Sequence, residues 1–295
     1  MQLPSPFGLS YNFVAPAVME DGTEAVLKLS VPGRENRLEH AALQAFSGRG
    51  GVKVLEADLG TGALLLERVA PGRMLADAVR DDDEATVAAA RLMLRTEAAA
   101  PAGNEAGDGE TFPSVAEWAA GLRKVRLRFD GGTGPLSERM VRRAEETFER
   151  LLAVDATAGT GASGDAGIST TTTTTTSPRK QLLLHGDLHH YNILSAPESE
   201  GGWIAIDPKG VIGEAEYGTI PLLLNKLPEH PGQQRDVLRR RVELLCSELS
   251  LDRTRLLEWG FSHSVLSAWW CLEDGVGDPL RTMEQAKRFE ELLAE

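Results

Sequence analysis

Residues 181–207 constrain the fold more than any other stretch of the chain. Gln181–Leu184 is a short apolar run that reads as a buried strand. It leads into a polar loop, His185-Gly186-Asp187-Leu188-His189-His190-Tyr191-Asn192, and then into a second apolar pair, Ile193-Leu194. Trp203–Ile206 reads as a further strand, ending at Asp207-Pro208. Short apolar runs bounded by polar loops suit strands buried on both faces. Asp187 and Asn192 lie five residues apart in one loop, and Asp207 lies twenty beyond Asp187. Adjacent strands would bring the three polar groups to one rim. Two carboxylates and an amide fit a divalent-cation phosphotransfer site, because Mg2+ takes hard oxygen ligands and leaves positions for phosphate oxygens. One carboxylate then remains to accept a proton from an attacking hydroxyl. The spacing D-x4-N followed by a strand-end Asp is that of kinase catalytic and metal-binding loops.

The first 70 residues carry matching features. Leu9–Val18 and Glu24–Leu29, joined by the turn Glu20-Asp21-Gly22-Thr23, read as a hairpin. Glu35–Phe46 changes to helical period, with Leu38, Ala41, Ala42 and Ala45 expected to face inward. Val52–Ala57 and Ala63–Val69 read as another strand pair. Lys28 stands mid-strand among apolar residues, where a cation is costly unless paired. Glu39, eleven residues on, is the expected partner, with Glu35 a rival one turn away. A strand lysine held by a helix glutamate is the phosphate-orienting pair of a kinase N-lobe. Glu67-Arg68-Val69 falls where a hinge would offer backbone groups to a purine, so Glu67 and Val69 are candidate nucleotide contacts.

Beyond residue 70 the chain reads as mainly helical: Arg80–Ala100, Pro113–Phe129, Pro135–Val154, Val237–Leu249 and Leu256–Leu272, with Trp269 and Trp270 expected in the core. Pro101–Gly109 reads as a polar loop. Residues 155–180, with seven consecutive threonines at 170–176, have almost nothing apolar to bury and read as a disordered insertion. The net charge of −13 argues against a nucleic-acid partner and is compatible with a small cationic ligand. Two cysteines cannot build a disulfide framework, and no apolar run approaches the length of a membrane span. The N-terminus has neither the basic start nor the apolar core of a signal peptide, so the cytoplasm is the expected compartment. A rival chemistry would place zinc on His185, Asp187, His189 and His190, but neither His230 nor His263 has a neighbour that would complete the site.

Taken together, HGDLHHYNIL, GWIAIDPKGVIGE, LSAWWCLEDG and FPSVAEWAAGLRKVRLRFDGGTGPL resemble the aminoglycoside and hydroxyurea phosphotransferase family, over nearly the whole chain. The resemblance implies an α+β, two-lobed protein-kinase-like fold, with a small β-rich N-lobe (1–69) and a larger helical C-lobe (70–295). It implies transfer of the ATP γ-phosphate to a hydroxyl of a small cationic antibiotic, streptomycin-type aminoglycosides first. Hydroxyurea or another small molecule is the alternative, and a kinase-like binding protein without turnover a further one. ATP and Mg2+ are the implied cofactors, with no nucleic-acid, membrane or obligate protein partner. Asp187 becomes the base, His185 a brace for its loop, Asn192 and Asp207 the Mg2+ ligands, and Lys28 with Glu39 the phosphate contacts. Glu214, Glu216, Glu273 and Asp274 become candidate contacts to a guanidinium-bearing sugar. Two departures stand out: the segment before Ser5 is short, so the sheet is expected to lack an edge strand, and there is no GxGxxG.

Overall fold

Alternation in Glu24–Leu29 and Ala63–Glu67 organises the front of the chain. In the computed structural model, which describes residues 12–107, 109–156 and 179–295, β1 (Phe13–Val18), β2 (Glu24–Leu29), α1 (Arg34–Phe46), β3 (Val54–Asp58) and β4 (Ala63–Glu67) follow in order. The four strands form one antiparallel sheet in the order β1-β2-β4-β3. Lys28 lies opposite Leu64 and Val26 opposite Leu66, so the four share one face. Leu64 and Leu66 on that face pack with Leu43 of α1. The expected disordered insertion and edge-strand loss fall almost wholly on residues 157–178 and 1–11, outside the described residues.

The chain continues through α2 (Leu75–Ala78), α3 (Asp82–Thr96), β5 (Ala98–Ala99), β6 (Glu105–Gly107), β7 (Glu110–Thr111), α4 (Val115–Ala120), α5 (Lys124–Arg128) and α6 (Glu138–Ala156). Then come β8 (Leu182–Leu184), β9 (Ile193–Ser195), β10 (Trp203–Ala205), β11 (Val211–Gly213), α7 (Ala215–Gly218), α8 (Ile220–Leu224), α9 (Pro231–Leu249), α10 (Arg253–Asp274) and α11 (Pro279–Leu293). Two compact units result: Met1–Ser114 with Leu182–Arg253, and Val115–Gln181 with Thr254–Glu295. No described helix is long and apolar enough to cross a membrane.

Four expectations about helix faces and element bounds need correction. The buried face of α1 is Asn36, Leu38, Glu39, Ala42, Leu43 and Phe46, whereas Ala41 and Ala45 are only half-buried. The larger side chains win the inward positions because they remove more apolar area from water. The helix expected over Arg80–Ala100 ends at Thr96, and Ala98 and Ala99 instead pair with Leu183 and Leu182. Pairing to the buried strand β8 overrides alanine's helical preference. The helix expected over Pro113–Phe129 is broken at Gly121 into α4, a 3-10 turn and α5. The polar loop after Pro101 contains the small β6–β7 ladder.

In the first unit, α1 joins the sheet to the strands behind the polar loop. Leu38, Ala42 and Phe46 pack against Phe112, Leu183 of β8 and Ile212 of β11. In the second unit, Trp259 and Phe148 meet at 6.0 Å between ring centres, and Arg143 lies over Phe261 at 5.0 Å. Arg139 and Arg143 both bond Glu290, which links α6 to α11. Trp269 is buried as expected; Trp270 is half-buried and meets Trp118 and His263 edge-on.

Asp81 caps α3 by accepting the Glu84 N–H at 2.9 Å. The next residue, Asp82, takes two bonds from Arg241 of α9, at 2.9 and 2.6 Å. Arg241 is fully buried and also donates to the carbonyls of Leu222, Asn225 and Lys226, so it closes the C-terminal end of α8. Burial pushes the Asp82 carboxyl up, but the Arg241 bonds outweigh it and hold it below its usual value. Removing one partner of a buried ion pair leaves an uncompensated charge, at a cost of about 3 kcal/mol. We therefore expect Asp82→Ala to lower the unfolding free energy by about 3 kcal/mol. The neighbouring exposed pair Asp83–Arg240, at 3.3 Å, should contribute under about 1 kcal/mol. Denaturant melts of Asp82→Ala and Asp83→Ala, side by side, test the ranking.

Candidate active site

A lysine on the inward face of β2 sets the geometry. Lys28 is 5% exposed, and its Nζ donates to Glu39 Oε1 at 2.5 Å and to Asp207 Oδ1. Burial alone would pull the ammonium's pKa down, but the two carboxylates outweigh it and hold the group charged. Burial likewise pushes Asp207 up, and Lys28 reverses it and keeps the carboxyl ionised. Glu39 is buried on α1 whereas Glu35 is exposed, which resolves the rivalry between them.

The polar loop joins β8 to β9, and the loop bearing Asp207 follows β10. The β9–β10 ladder pairs Ile193 with Ala205, so Asn192 and Ile206 face each other, and the Ile206 N–H donates to the Asn192 carbonyl at 3.0 Å. Asn192 Nδ2 donates to the Asp187 carbonyl at 2.9 Å. With its nitrogen so committed, the amide keeps Oδ1 as an acceptor-only atom. Asp207 sits at φ 63°, a left-handed conformation that costs a non-glycine residue about 1 kcal/mol or more. The loop contacts around it hold it there.

His185 closes the arrangement. Its Nε2 lies 3.0 Å from the Ile206 carbonyl and its Nδ1 accepts the Asp187 N–H at 3.3 Å. A carbonyl only accepts, so Nε2 carries the proton and the ring is neutral. The ring stacks on Phe46 at 6.3 Å. Both nitrogens are engaged, so His185 has no atom free for zinc. Among the described residues no three His, Cys, Asp or Glu side chains form a metal cluster. The donor set that remains, Asn192 Oδ1 and the Asp207 carboxylate, suits Mg2+, which takes one or two protein oxygens and fills the rest of its shell from water and phosphate. Burial raises Asp187 to about 6, with Lys209 the chief opposing influence. His189 Nε2 lies 3.5 Å from Asp187 Oδ1, and His190, in the same loop, is fully buried.

The other candidates sit elsewhere. Glu67 and Val69 line a groove of about 620 Å3 together with Gly48–Gly51, Lys53 and Ile204, and the Glu67 carboxylate accepts the Lys53 N–H at 2.9 Å. Glu214 and Glu216 flank the start of α7 and are buried; Glu216 Oε1 lies 3.4 Å from the Asp252 N–H. Glu273 and Asp274 end α10 in the second unit, both exposed, and Glu273 pairs with Lys124 at 2.9 Å. Lys209 was missed by the sequence reading. Its signal was available: a lysine two residues after a strand-end aspartate, followed by glycine.

Burial pushes His185 down to about 4 from an ordinary 6.5. A folded value below the unfolded one means that the neutral ring's stabilisation is complete above about pH 6.5 and is lost as pH falls toward about 4. Asp187 acts in the opposite sense between its ordinary 3.8 and about 6. The histidine share is therefore isolated by difference. Between about pH 7 and pH 4.5, the wild-type chain should lose roughly 2 kcal/mol more stability than His185→Asn, as read from denaturant melts at each pH.

Comparison with known proteins gives a consistent result. The family model for aminoglycoside/hydroxyurea antibiotic resistance kinases matches residues 8–106 and 117–275. A hydroxyurea phosphotransferase from Kitasatospora aureofaciens is 35% identical over 274 residues, covering 92% of this chain and 69% of that protein. A streptomycin 6-kinase from Streptomyces glaucescens is 32% identical over 287 residues, covering 94% and 81%. Among solved structures, a choline/ethanolamine kinase family protein from Mesorhizobium loti superposes with a TM-score of 0.64 at 15% identity, covering 98% of this chain and 87% of that one. The fold is thus protein-kinase-like, with a small β-rich N-lobe and a helical C-lobe, and the chain belongs to the aminoglycoside/hydroxyurea antibiotic resistance kinase family of phosphotransferases.

Proposed function

We propose that this chain moves the γ-phosphoryl group of ATP to a hydroxyl of a small cationic antibiotic, with streptomycin-type aminoglycosides as the first candidates, 6-O-phosphorylation as the reaction and resistance as its outcome. The observation that carries the phosphoryl-transfer part is the buried Lys28 between Glu39 and Asp207, with Asp187 and Asn192 on the adjoining loop. Lys28, fixed by Glu39, orients the α- and β-phosphates. Asp187, seated by its N–H bond to the neutral His185, accepts the hydroxyl proton; a carboxyl raised toward about 6 is a better base than an ordinary aspartate while still ionised at neutral pH. Asn192 Oδ1 and the Asp207 carboxylate would hold Mg2+, which when bound neutralises charge on the phosphate oxygens. Backbone groups between Glu67 and Val69 meet the purine, within a nucleotide-binding lobe spanning 1–69 and an acceptor lobe spanning 70–295.

A cationic acceptor is favoured by the net charge of −13. Glu214, Glu216, Glu273 and Asp274 are its proposed contacts. The reaction needs no protein partner in this reading, and two free cysteines suit a reducing cytoplasm. The hydroxyurea alternative draws its support from the relative that is 35% identical.

The test is nucleotide consumption against an acceptor panel containing streptomycin and hydroxyurea, with mass spectrometry of the products. Streptomycin should gain one phosphoryl group. Phosphorylated hydroxyurea in its place would keep the phosphotransferase and reject the aminoglycoside. Asp187→Asn should lower kcat by at least about a thousandfold with ATP affinity within a few-fold of wild type. Turnover near the wild-type rate would remove Asp187 from the base role.

A further inference from the structure

We propose that Lys209 is a further catalytic residue of this site, its ammonium contacting the γ-phosphoryl group as it passes from ATP to the acceptor. The inference rests on the phosphotransferase reading above and assigns a role to a side chain that reading leaves unused.

The backbone fixes where Lys209 begins. The N–H groups of Lys209 and Gly210 both donate to the His185 carbonyl, at 2.8 and 3.2 Å, so the segment after Asp207 is tied to the residue two places before Asp187. Gly210 adopts φ +67°, and a Cβ there would meet the Phe112 ring at 2.6 Å, so only glycine fits. Phe112 itself belongs to the core that seats α1. The lysine is therefore presented by a rigid turn, not by a free loop.

Its side chain is exposed, yet among the described residues it has no carboxylate within ion-pairing distance. Its charge nevertheless acts on Glu39, Asp187, Asp207 and His185 together. For Asp187 it is the strongest influence opposing burial, ahead of the Asn192 hydrogen bond. An ordinary surface lysine reaches one neighbour weakly and is screened by water. This one starts two residues after Asp207, on a turn hydrogen-bonded to the carbonyl of His185, two residues before Asp187.

Charge balance makes the case for a cation beyond Lys28 and the Mg2+ that Asn192 and Asp207 would hold. Glu39, Asp187 and Asp207 are acidic, and Lys28 is already bound to two of them. A nucleotide triphosphate brings more negative charge to the same place. In the transfer, the acceptor oxygen bonds to the γ-phosphorus while the bond from phosphorus to the β–γ bridging oxygen breaks, its electron pair leaving on ADP. The hydroxyl proton goes to Asp187. Lys209 neither gains nor loses a proton. It donates hydrogen bonds to the γ-phosphoryl oxygens, where charge is spread in the transition state and a placed cation is most effective.

Lys209→Ala, Lys209→Gln and Lys209→Arg test the assignment, each first checked for an unchanged melting temperature. With the acceptor that the wild-type chain phosphorylates, Lys209→Ala and Lys209→Gln should lower kcat about a hundredfold with KM for ATP within about threefold of wild type, and Lys209→Arg should recover part of the loss. In a separate binding experiment, ADP with Mg2+ and aluminium fluoride, a mimic of the transferring group, should bind the Ala variant about a hundredfold more weakly than wild type, with ADP alone unaffected. A kcat within threefold of wild type, or an equal loss of ADP and mimic binding, would overturn the role of Lys209. A wild-type chain that consumes no nucleotide with any acceptor would instead overturn the phosphotransferase reading on which the role rests.

Discussion

A buried ammonium cannot stand alone, and the first unit is arranged around that fact. Stripping water from Lys28 carries a desolvation cost of several kcal/mol unless opposite charge replaces it. The replacement comes from two elements far apart in sequence, Glu39 on α1 and Asp207 after β10. For both to reach Nζ, the sheet, the helix and the strand pair must hold fixed positions. The core supplies that fixity. Leu43 seats α1 on the sheet, while Leu38, Ala42 and Phe46 seat it on Phe112, Leu183 and Ile212. One helix, apolar on two flanks, thus registers the sheet against the strands that carry the polar loop.

The same economy governs the loop itself. His185 reads two backbone groups at once, the Ile206 carbonyl and the Asp187 N–H, and can do so only in one neutral tautomer. Burial against Phe46 enforces that neutrality. Its own carbonyl then collects the Lys209 and Gly210 N–H groups. Four backbone groups therefore converge on one side chain and its peptide. This network explains how Asp207 is retained at a positive φ: relaxing it would break bonds that the neighbouring residues make to His185.

How much of this was legible in the sequence depended on the range of the interaction. The bounds of β2 and the identity of Lys28 and Glu39 were readable, because strand alternation and one unaffordable charge in an apolar run are local signals. The D-x4-N loop and the strand-end Asp207 were readable for the same reason. The double engagement of Lys28 was not. Nothing in AVLKLS shows that the strand-end aspartate, 179 residues away, shares the lysine with Glu39. The end of α3 at Thr96 was hidden because the alanines that follow are helix formers, and their strand pairing is decided by β8. Arg241 was hidden too: on sequence it belongs to a run of three arginines, and only the fold shows that the third is buried against Asp82.

The contrast between the groups proposed to handle phosphate and those proposed to meet the acceptor follows from burial. Groups that manage a triphosphate must hold charge in a low-dielectric setting, so they are locked by mutual pairing, and a change at one strands the others. Glu273 and Asp274 are bound by no such constraint. They are exposed at the end of a helix, and Glu273 has a single lysine partner, so replacing either costs little stability. Glu214 and Glu216 lie between these extremes, carboxylates buried where a chain reversal follows β11. The proteins similar to this chain include a hydroxyurea phosphotransferase and a streptomycin 6-kinase, so likeness over the whole chain does not by itself fix the acceptor. An exposed carboxylate pair on a chain of net charge −13 is suited to attract a cation, and the buried pairing around Lys28 does not depend on it.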